Sequence, residues 1–454
     1  MAKKRETKFV CTNCGEDYPK WTGKCENCGA WNTLVEFVES NLSKNPKSGQ
    51  GSELKFKSIK DIAKNGDGTG TSSRLKTNIS DVDDVLGGGI VEASVNLIAG
   101  EPGIGKSTLI MQIAASVSQS SGQVLYVSGE ESAEQVAHRA SRLDLSSDNL
   151  GIVSSTSTDD IAETILKIKP KLVIIDSIQT MACSEVSSAT GSVSQVTNST
   201  HILTQAAKSA GTALIIVGHV TKEGSLAGPK MLEHLVDVVL NLEGDRYGGF
   251  KILRAVKNRY GSTSEAGIFN MTEKGLEQVD NPSKSLLAER QVTDGSIVFA
   301  AIEGTRPILV EVQALVNKTS FGYPKRTASG FDLNRLNLLV AVLTRRTKLN
   351  LSEHDIYINV VGGVKLTEPA ADLAVAMAIA SAAKGLSLKQ DLAVAGELGL
   401  SGEIRRIPNL EKRLNEAKKL GFVGLLAPSS GSKSNFINDA TNLREVLNNW
   451  FIAR

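Results

Sequence analysis

Between about residues 74 and 282, short aliphatic runs alternate with longer stretches in which apolar residues recur every three or four positions. The runs are VNLIA (95–99), VLYVS (124–128), KLVIID (171–176), ALIIVG (213–218) and VVLNLE (238–243). Unbroken apolar runs of this length predict strands covered on both faces. TLIMQIAASVSQS and SAEQVAHRASRL, lying between them, predict the covering helices. The alternation predicts an α/β unit built on a mostly parallel sheet. After Asn281-Pro282 a second set begins, with strand-like SIVFAAIEG, ILVEVQALV and DIYINVVGG and helical AADLAVAMAIASAAK and NLEKRLNEAKKLG, the mixture expected of an α+β domain. From 39 to 73 the chain turns to Ser, Asn, Lys, Gly and Thr, the composition of a flexible linker, with one short amphipathic piece at 56–62. No fixed-period repeat appears. The expected organisation is a small module over 1–36, a linker over 37–73, an α/β domain over 74–282 and a last domain over 283–454.

Composition narrows the class of protein. With 454 residues, 41% hydrophobic and 22% charged, the chain can bury several cores and is neither wholly disordered nor fibrous. Fifty-one Lys and Arg against 49 Asp and Glu leave a net charge of +2, too balanced for a surface that binds nucleic acid everywhere. An anionic partner must be held by local basic patches. No apolar run approaches the ~20 residues that cross a bilayer, and the basic start MAKKRETK leads into CTNC instead of a signal-peptide core. A cytoplasmic protein with no membrane partner is expected.

Four of the five cysteines lie between residues 11 and 28. Cys11-x2-Cys14 and Cys25-x2-Cys28 each bring two thiolates to one ion, and the following Gly15 and Gly29 permit a tight knuckle. Together they predict a closed tetrahedral Zn²⁺ site. Two structural disulfides conflict with the cytoplasmic reading, and a redox pair lacks its usual βαβ setting. So short a module has almost no core without its metal, and it could face protein or DNA. Cys183 reads as an inert thiol.

Gly100-Glu101-Pro102-Gly103-Ile104-Gly105-Lys106-Ser107 fits G-x4-G-K-[ST] between a predicted strand and a predicted helix. In that setting backbone N–H groups and the helix N-terminus face phosphate. Lys106 would meet the β- and γ-phosphates of ATP, Ser107 would ligate Mg²⁺, and Thr108 would lie near the α-phosphate. KLVIID ends on Asp176, placed to hold the Mg²⁺ shell through water. Glu130 and Glu131 follow VLYVS; a carboxylate there could orient or activate the attacking water, with Glu130 preferred and Glu131 in reserve. ALIIVGHV brings His219 beside the expected γ-phosphate, where a single strand-end histidine is more often structural than a sensor.

The loop GEPGIGKST, the LVIIDS run and the Glu after YVSGE resemble the RecA-type P-loop ATPase core. Lys257-Asn258-Arg259-Tyr260-Gly261 follows the strand-like KILRAV, and with the N-terminal four-Cys module it resembles the defining motif of the bacterial RadA (Sms) family of DNA repair proteins. The resemblance extends over the whole chain. It implies that Lys257 and Arg259 act on ATP across a subunit interface, that the protein forms a homo-oligomeric ring, hexameric in expectation, and that His219 senses the γ-phosphate. It further implies binding of single-stranded and branched DNA, Lys222 and Lys230 being candidate contacts in the polar loop 221–230. Branch migration or strand unwinding at the nucleoid, in partnership with the RecA recombinase, completes the implied activity.

The last domain resembles the Lon proteolytic domain, notably in VVGGVKLTEPAADLAVA and AGELGLSGEIRRIPNLEKRLNEAKKLG. Active members need a Ser nucleophile and a Lys base; the matching positions here hold Ala370 and Arg413. Alanine has no nucleophile and arginine stays protonated, so an inactive scaffold for ring assembly is expected. Its basic residues Arg345, Arg346, Lys348, Arg405 and Arg406 are further candidates for DNA. Three competing readings remain: an ATP-dependent protease, opposed by Ala370 and Arg413; an ATPase that switches protein partners without moving on DNA; and a zinc module that reads DNA sequence, opposed by the lack of a recognition helix with base-reading side chains.

Overall fold

A computed structural model describes residues 7–11, 16–31, 33–38, 74–218, 231–244, 249–319, 322–429 and 434–451. Cys14, His219, Lys222 and Lys230 lie outside these residues. The chain forms two compact units, 1–243 with 251–278 and 244–250 with 279–454. Among the described residues no helix is long and apolar enough to cross a membrane.

In the first unit, the N-terminal residues form a three-stranded antiparallel sheet in the order Asp17–Tyr18, Thr7–Cys11, Leu34–Val38. Its last strand runs two residues beyond the boundary expected at 36, because Phe37 and Val38 still pair with Lys8 and Thr7.

The main sheet of this unit has nine strands, β1 (Val95–Gly100), β2 (Val124–Ser128), β3 (Leu150–Ser154), β4 (Leu172–Asp176), β5 (Ala213–Val217), β6 (Val238–Gly244), β7 (Lys251–Asn258), β8 (Ala266–Thr272) and β9 (Gly275–Gln278). Their order is β9-β8-β7-β6-β1-β5-β4-β2-β3. From β6 to β3 every pairing is parallel, while on the other side β7 pairs antiparallel with β8 and β8 antiparallel with β9. Helices α1 (Lys106–Ser120), α2 (Ala133–Arg142), α3 (Thr158–Ile168) and α4 (Val193–Ala210) cover it. The two faces explain the unbroken apolar runs. Leu172 and Ile174 pack with α1 residues Leu109, Ile110 and Ile113, whereas Val173 and Ile175 enter the opposite cluster with Ile161, Leu203 and Ala207.

The β8–β9 hairpin lies against α1, where Gln112 donates to Leu276 O at 3.2 Å and accepts from Leu276 N at 3.0 Å. Polar residues interrupt its short strands, so the aliphatic-run criterion passes over it.

The second unit carries a seven-stranded sheet in the order Arg326–Ser329, His354–Val360, Arg306–Lys318, Ser296–Glu303, Leu392–Val394, Gly424–Ala427, Ile437–Asp439. Helices α5 (Pro282–Leu287), α6 (Leu333–Thr347), α7 (Asp372–Lys384) and α8 (Leu410–Lys419) belong to this unit. The Ala-rich α7 is buried from Asp372 through Ser381, the small side chains allowing the strands to approach it closely.

Candidate nucleotide site and metal centre

β1 is the inner strand of the parallel region, flanked by β5 and β6, and the phosphate loop leaves its C-terminal end. Ile104 is buried and fastens the loop to the core, while Glu101, Pro102 and Gly103 are exposed. Gly105 has φ 114°, a conformation that favours glycine, and a Cβ there would lie 2.5 Å from Met271 Cε, so the flexible Met271 side chain would also have to shift. Among the described residues no side chain caps α1, so its first amides face the loop ready for an anion. Lys106 is buried, and its Nζ donates to Gly100 O at 2.8 Å and Glu101 O at 2.9 Å. Those bonds hold the ammonium inside the loop, where phosphate oxygens can replace the carbonyls with little side-chain reordering. Ser107 and Thr108 follow in the first turn of α1, half-buried.

Asp176 ends β4, opposite Ser128 of β2. Tyr126, buried two residues earlier on β2, donates its hydroxyl to Asp176 Oδ2 at 2.5 Å. Burial first, and then the adjacent carboxylate, raise the Tyr126 hydroxyl far above the ordinary tyrosine range, so it remains a donor. Arg139 Nη2 donates to Tyr126 Oη at 3.2 Å and lies 3.9 Å from Asp176 Oδ2, while its Nη1 pairs with Glu131 at 2.6 Å. Arg139 is aimed here by α2, which a capping box starts: Ser132 Oγ accepts from Gln135 N and Gln135 Oε1 accepts from Ser132 N. Glu130 behaves differently from its neighbour. Its carboxylate accepts from Ser177 Oγ at 2.5 Å, directly after Asp176. The two strand ends meet closely, since a Cβ on Gly129 would fall 2.0 Å from Thr180 Oγ1. Tyr126, Arg139 and Ser177 escape the sequence reading; a hydroxyl inside the apolar run VLYVS is the signal that was available.

Lys257 and Arg259 lie at the other end of the sheet from the phosphate loop. Asp237 precedes β6, accepts from Val95 N at 3.0 Å through Oδ2 and is buried. Arg259 Nη1 reaches Asp237 Oδ1 at 3.1 Å. Lys257 Nζ donates to Glu233 O at 2.5 Å and Val236 O at 2.8 Å, and burial, then the nearby Arg259, lowers its pKa from the ordinary lysine value. Val95 and Gly100 are the two ends of β1, about 16 Å apart at ~3.3 Å per residue.

In the N-terminal module the Sγ atoms of Cys11, Cys25 and Cys28 all lie within 4.8 Å of one another. Cys11 Sγ and Cys28 Sγ are 3.7 Å apart, far beyond an S–S bond. That separation matches the roughly 3.8 Å edge of a tetrahedron with Zn–S bonds of about 2.3 Å. Three thiol donors in this arrangement fit a soft divalent ion. Tyr18 Oη lies 3.3 Å from Cys25 Sγ, and that contact raises its pKa. Cys183 is buried against Gln195, away from any such cluster.

In the second unit Ala370 is buried in the turn before α7. Arg413, in the first turn of α8, is fully buried and bidentate to Glu368, with Nη2–Oε2 2.5 Å and Nη1–Oε1 3.1 Å. It also donates to Pro408 O at 3.3 Å and to Ala300 O. Lys412 points away, donating to Thr305 O at 3.0 Å. Arg345, Arg346, Lys348, Arg405 and Arg406 are exposed. A Cβ on Gly402 would lie 3.5 Å from Arg346 Cβ, so the end of α6 and the 402–406 segment share one surface.

A phosphate loop at the end of an inner parallel strand, with an acidic strand end beside it, defines a P-loop ATPase. Residues 69–225 match the family described as AAA domain, residues 9–36 that of the rubredoxin metal binding domain, and residues 337–431 that of subunit ChlI of Mg-chelatase. Proteins named DNA repair protein RadA from Listeria monocytogenes, Bacillus subtilis and Halalkalibacterium halodurans are 49%, 48% and 47% identical to this chain. The matches span 433, 432 and 440 residues, which is 95%, 94% and 94% of this chain and 94%, 93% and 93% of those proteins. The chain belongs to the RadA family.

Proposed function

We propose that this ATPase works on DNA as a ring, with each ATP site completed by the neighbouring subunit. It binds single-stranded and branched DNA and drives branch migration or strand unwinding alongside the RecA recombinase, in the cytoplasm at the nucleoid. The observation that carries this reading is the position of Arg259, bonded to Asp237 at the end of the sheet away from Lys106. An arginine there has no route to its own phosphate loop, but it can serve the loop of a copy packed against it. A ring, hexameric in this reading, also explains DNA binding by a chain of net charge +2, because basic segments from several subunits can line one channel.

Within each site the loop 100–107 cradles the phosphates, Lys106 neutralises the β- and γ-oxygens, and Thr108 lies toward the α-phosphate. Ser107 would ligate Mg²⁺ and Asp176 would hold its shell through water, and the ion would supply positive charge to those oxygens. Glu130 aligns the attacking water and takes up its proton; its bond to Ser177 beside Asp176 supports this choice over Glu131, which is engaged with Arg139. Lys257 and Arg259 spread transition-state charge in the partner's site. His219 as γ-phosphate sensor, and Lys222 and Lys230 as DNA contacts, belong to the same proposal. Cys11, Cys14, Cys25 and Cys28 hold Zn²⁺ in a structural module over 1–36, followed by a linker to 73, the ATPase domain to 282 and the Lon-like domain from 283. That last domain is a scaffold without peptidase activity, since Ala370 offers no nucleophile and Arg413 no base. Its exposed arginines around Gly402 give DNA a second basic surface.

Steady-state ATPase with and without single-stranded DNA, on the parent and on Arg259→Ala, tests the reading. DNA stimulation in the parent that disappears in the variant is expected. Equal rates with and without DNA in the parent would favour an ATPase that switches protein partners.

A further inference from the structure

We propose that Tyr126 and Arg139 are positioning residues for the metal-holding carboxylate of Asp176, and that Glu131 keeps the Arg139 charge from competing with the cation. The inference rests on the role given to Asp176 above. A tyrosine with no exposure stands between Leu125 and Val127 in the strand VLYVS, and burying its hydroxyl obliges it to find a partner. The partner is Asp176 Oδ2, at 2.5 Å. Among the described residues the side-chain hydrogen bond and the ion pair to this carboxylate both reach Oδ2, which leaves Oδ1 as the oxygen that could accept from a metal-bound water. One oxygen is thus held and the other presented.

Arg139 acts through the tyrosine. Its Nη2 donates to Tyr126 Oη at 3.2 Å, so the hydroxyl hydrogen has only the carboxylate to point at. A guanidinium 3.9 Å from Asp176 would by itself oppose a divalent cation. Glu131, 2.6 Å from Arg139 Nη1, offsets that charge and draws the guanidinium toward the protein surface. Asp176 is therefore oriented by a neutral donor, and the nearby cation is matched to its own acid. Hydrogen-bonded partners of metal ligands contribute about 10–100-fold to metal affinity.

The test uses the full chain with a non-hydrolysable ATP analogue bound and Mn²⁺ as the probe, its free fraction followed by electron paramagnetic resonance. Tyr126→Phe keeps the ring and its packing and removes only the donor. It should weaken Mn²⁺ binding about tenfold or more, while affinity for the analogue in EDTA stays at the parent value. Arg139→Gln should shift Mn²⁺ binding in the same direction. Unchanged Mn²⁺ affinity in Tyr126→Phe would overturn the proposal. So would an equal loss of analogue affinity in EDTA, which marks a general disturbance of the fold. Failure of the parent itself to bind Mn²⁺ more tightly with the analogue present would instead overturn the assignment of Asp176 on which the proposal rests.

Discussion

Arg259 Nη1 lies 3.1 Å from Asp237 Oδ1, and Asp237 in turn accepts from the first residue of β1, while Lys106 lies across the phosphate loop from Gly100, the last residue of that same strand. Two basic residues assigned to one ATP therefore stand at opposite ends of β1. This follows from the parallel register of β6 on β1, Val238 opposite Asn96 and Leu242 opposite Gly100, which fixes Asp237 at the start of both strands.

If the site is shared between subunits, two inactive variants should repair one another. Lys106→Ala and Arg259→Ala, each without DNA-stimulated hydrolysis alone, should regain a clear fraction of parent activity when co-expressed and purified as mixed oligomers. Some interfaces then pair an intact loop with an intact arginine. Mixed oligomers no more active than the separate variants would place Arg259 in its own subunit's chemistry or in folding.

The neighbouring glutamates should separate sharply. Glu130→Gln keeps the shape but cannot take a proton, so hydrolysis should fall on the order of 10²–10⁴-fold with ATP binding retained. Glu131→Gln should cost less than tenfold at saturating Mg²⁺, because its carboxylate is engaged with Arg139. Measuring turnover and nucleotide affinity on both variants decides it; equal losses would mean that neither is the water-activating residue.

These assignments differ in how openly the chain displays them. The phosphate loop and the cysteine pairs are local patterns, and their geometry follows from residues fewer than twenty apart. Asp176 is legible because an apolar strand stops on a carboxylate. The choice between Glu130 and Glu131 is not, because it depends on Ser177 and Arg139, which reach them from a different strand and from α2. Tyr126 looks like any aromatic in a strand until its hydroxyl is found on Asp176. The place of Arg259 needs the register between β6 and β1, some 140 residues apart, and no local motif encodes it.

Replacing Cys25 and Cys28 by Ser should remove zinc from the purified protein, one ion per chain in the parent and none in the variant by elemental analysis. The hydroxyl is a poor ligand for a soft ion, and a module this small depends on its metal to fold. The α/β unit has its own core on both sheet faces, so nucleotide binding should survive. Retained zinc in the double variant would contradict the four-thiolate site.

The Glu368–Arg413 pair gives a test of what has become of the protease-like frame. Arg413 is fully buried, and Glu368 Oε1 also accepts from Ile302 N at 2.8 Å, so the pair ties the turn before α7 to α8 and to the strand Ser296–Glu303. Glu368→Ala leaves a guanidinium buried without its counter-charge, which costs about 3–5 kcal/mol. Denaturant unfolding of the variant should show that loss in the transition of the second unit. Ala370→Ser with Arg413→Lys, which restores the two residue types of an active member, should give no peptidase activity. Lysine cannot reproduce the planar fork that Glu368 accepts, and it would be held as a charged partner of that carboxylate instead of a neutral base. Cleavage of an unfolded protein substrate by that double variant would show that the frame still positions a working dyad.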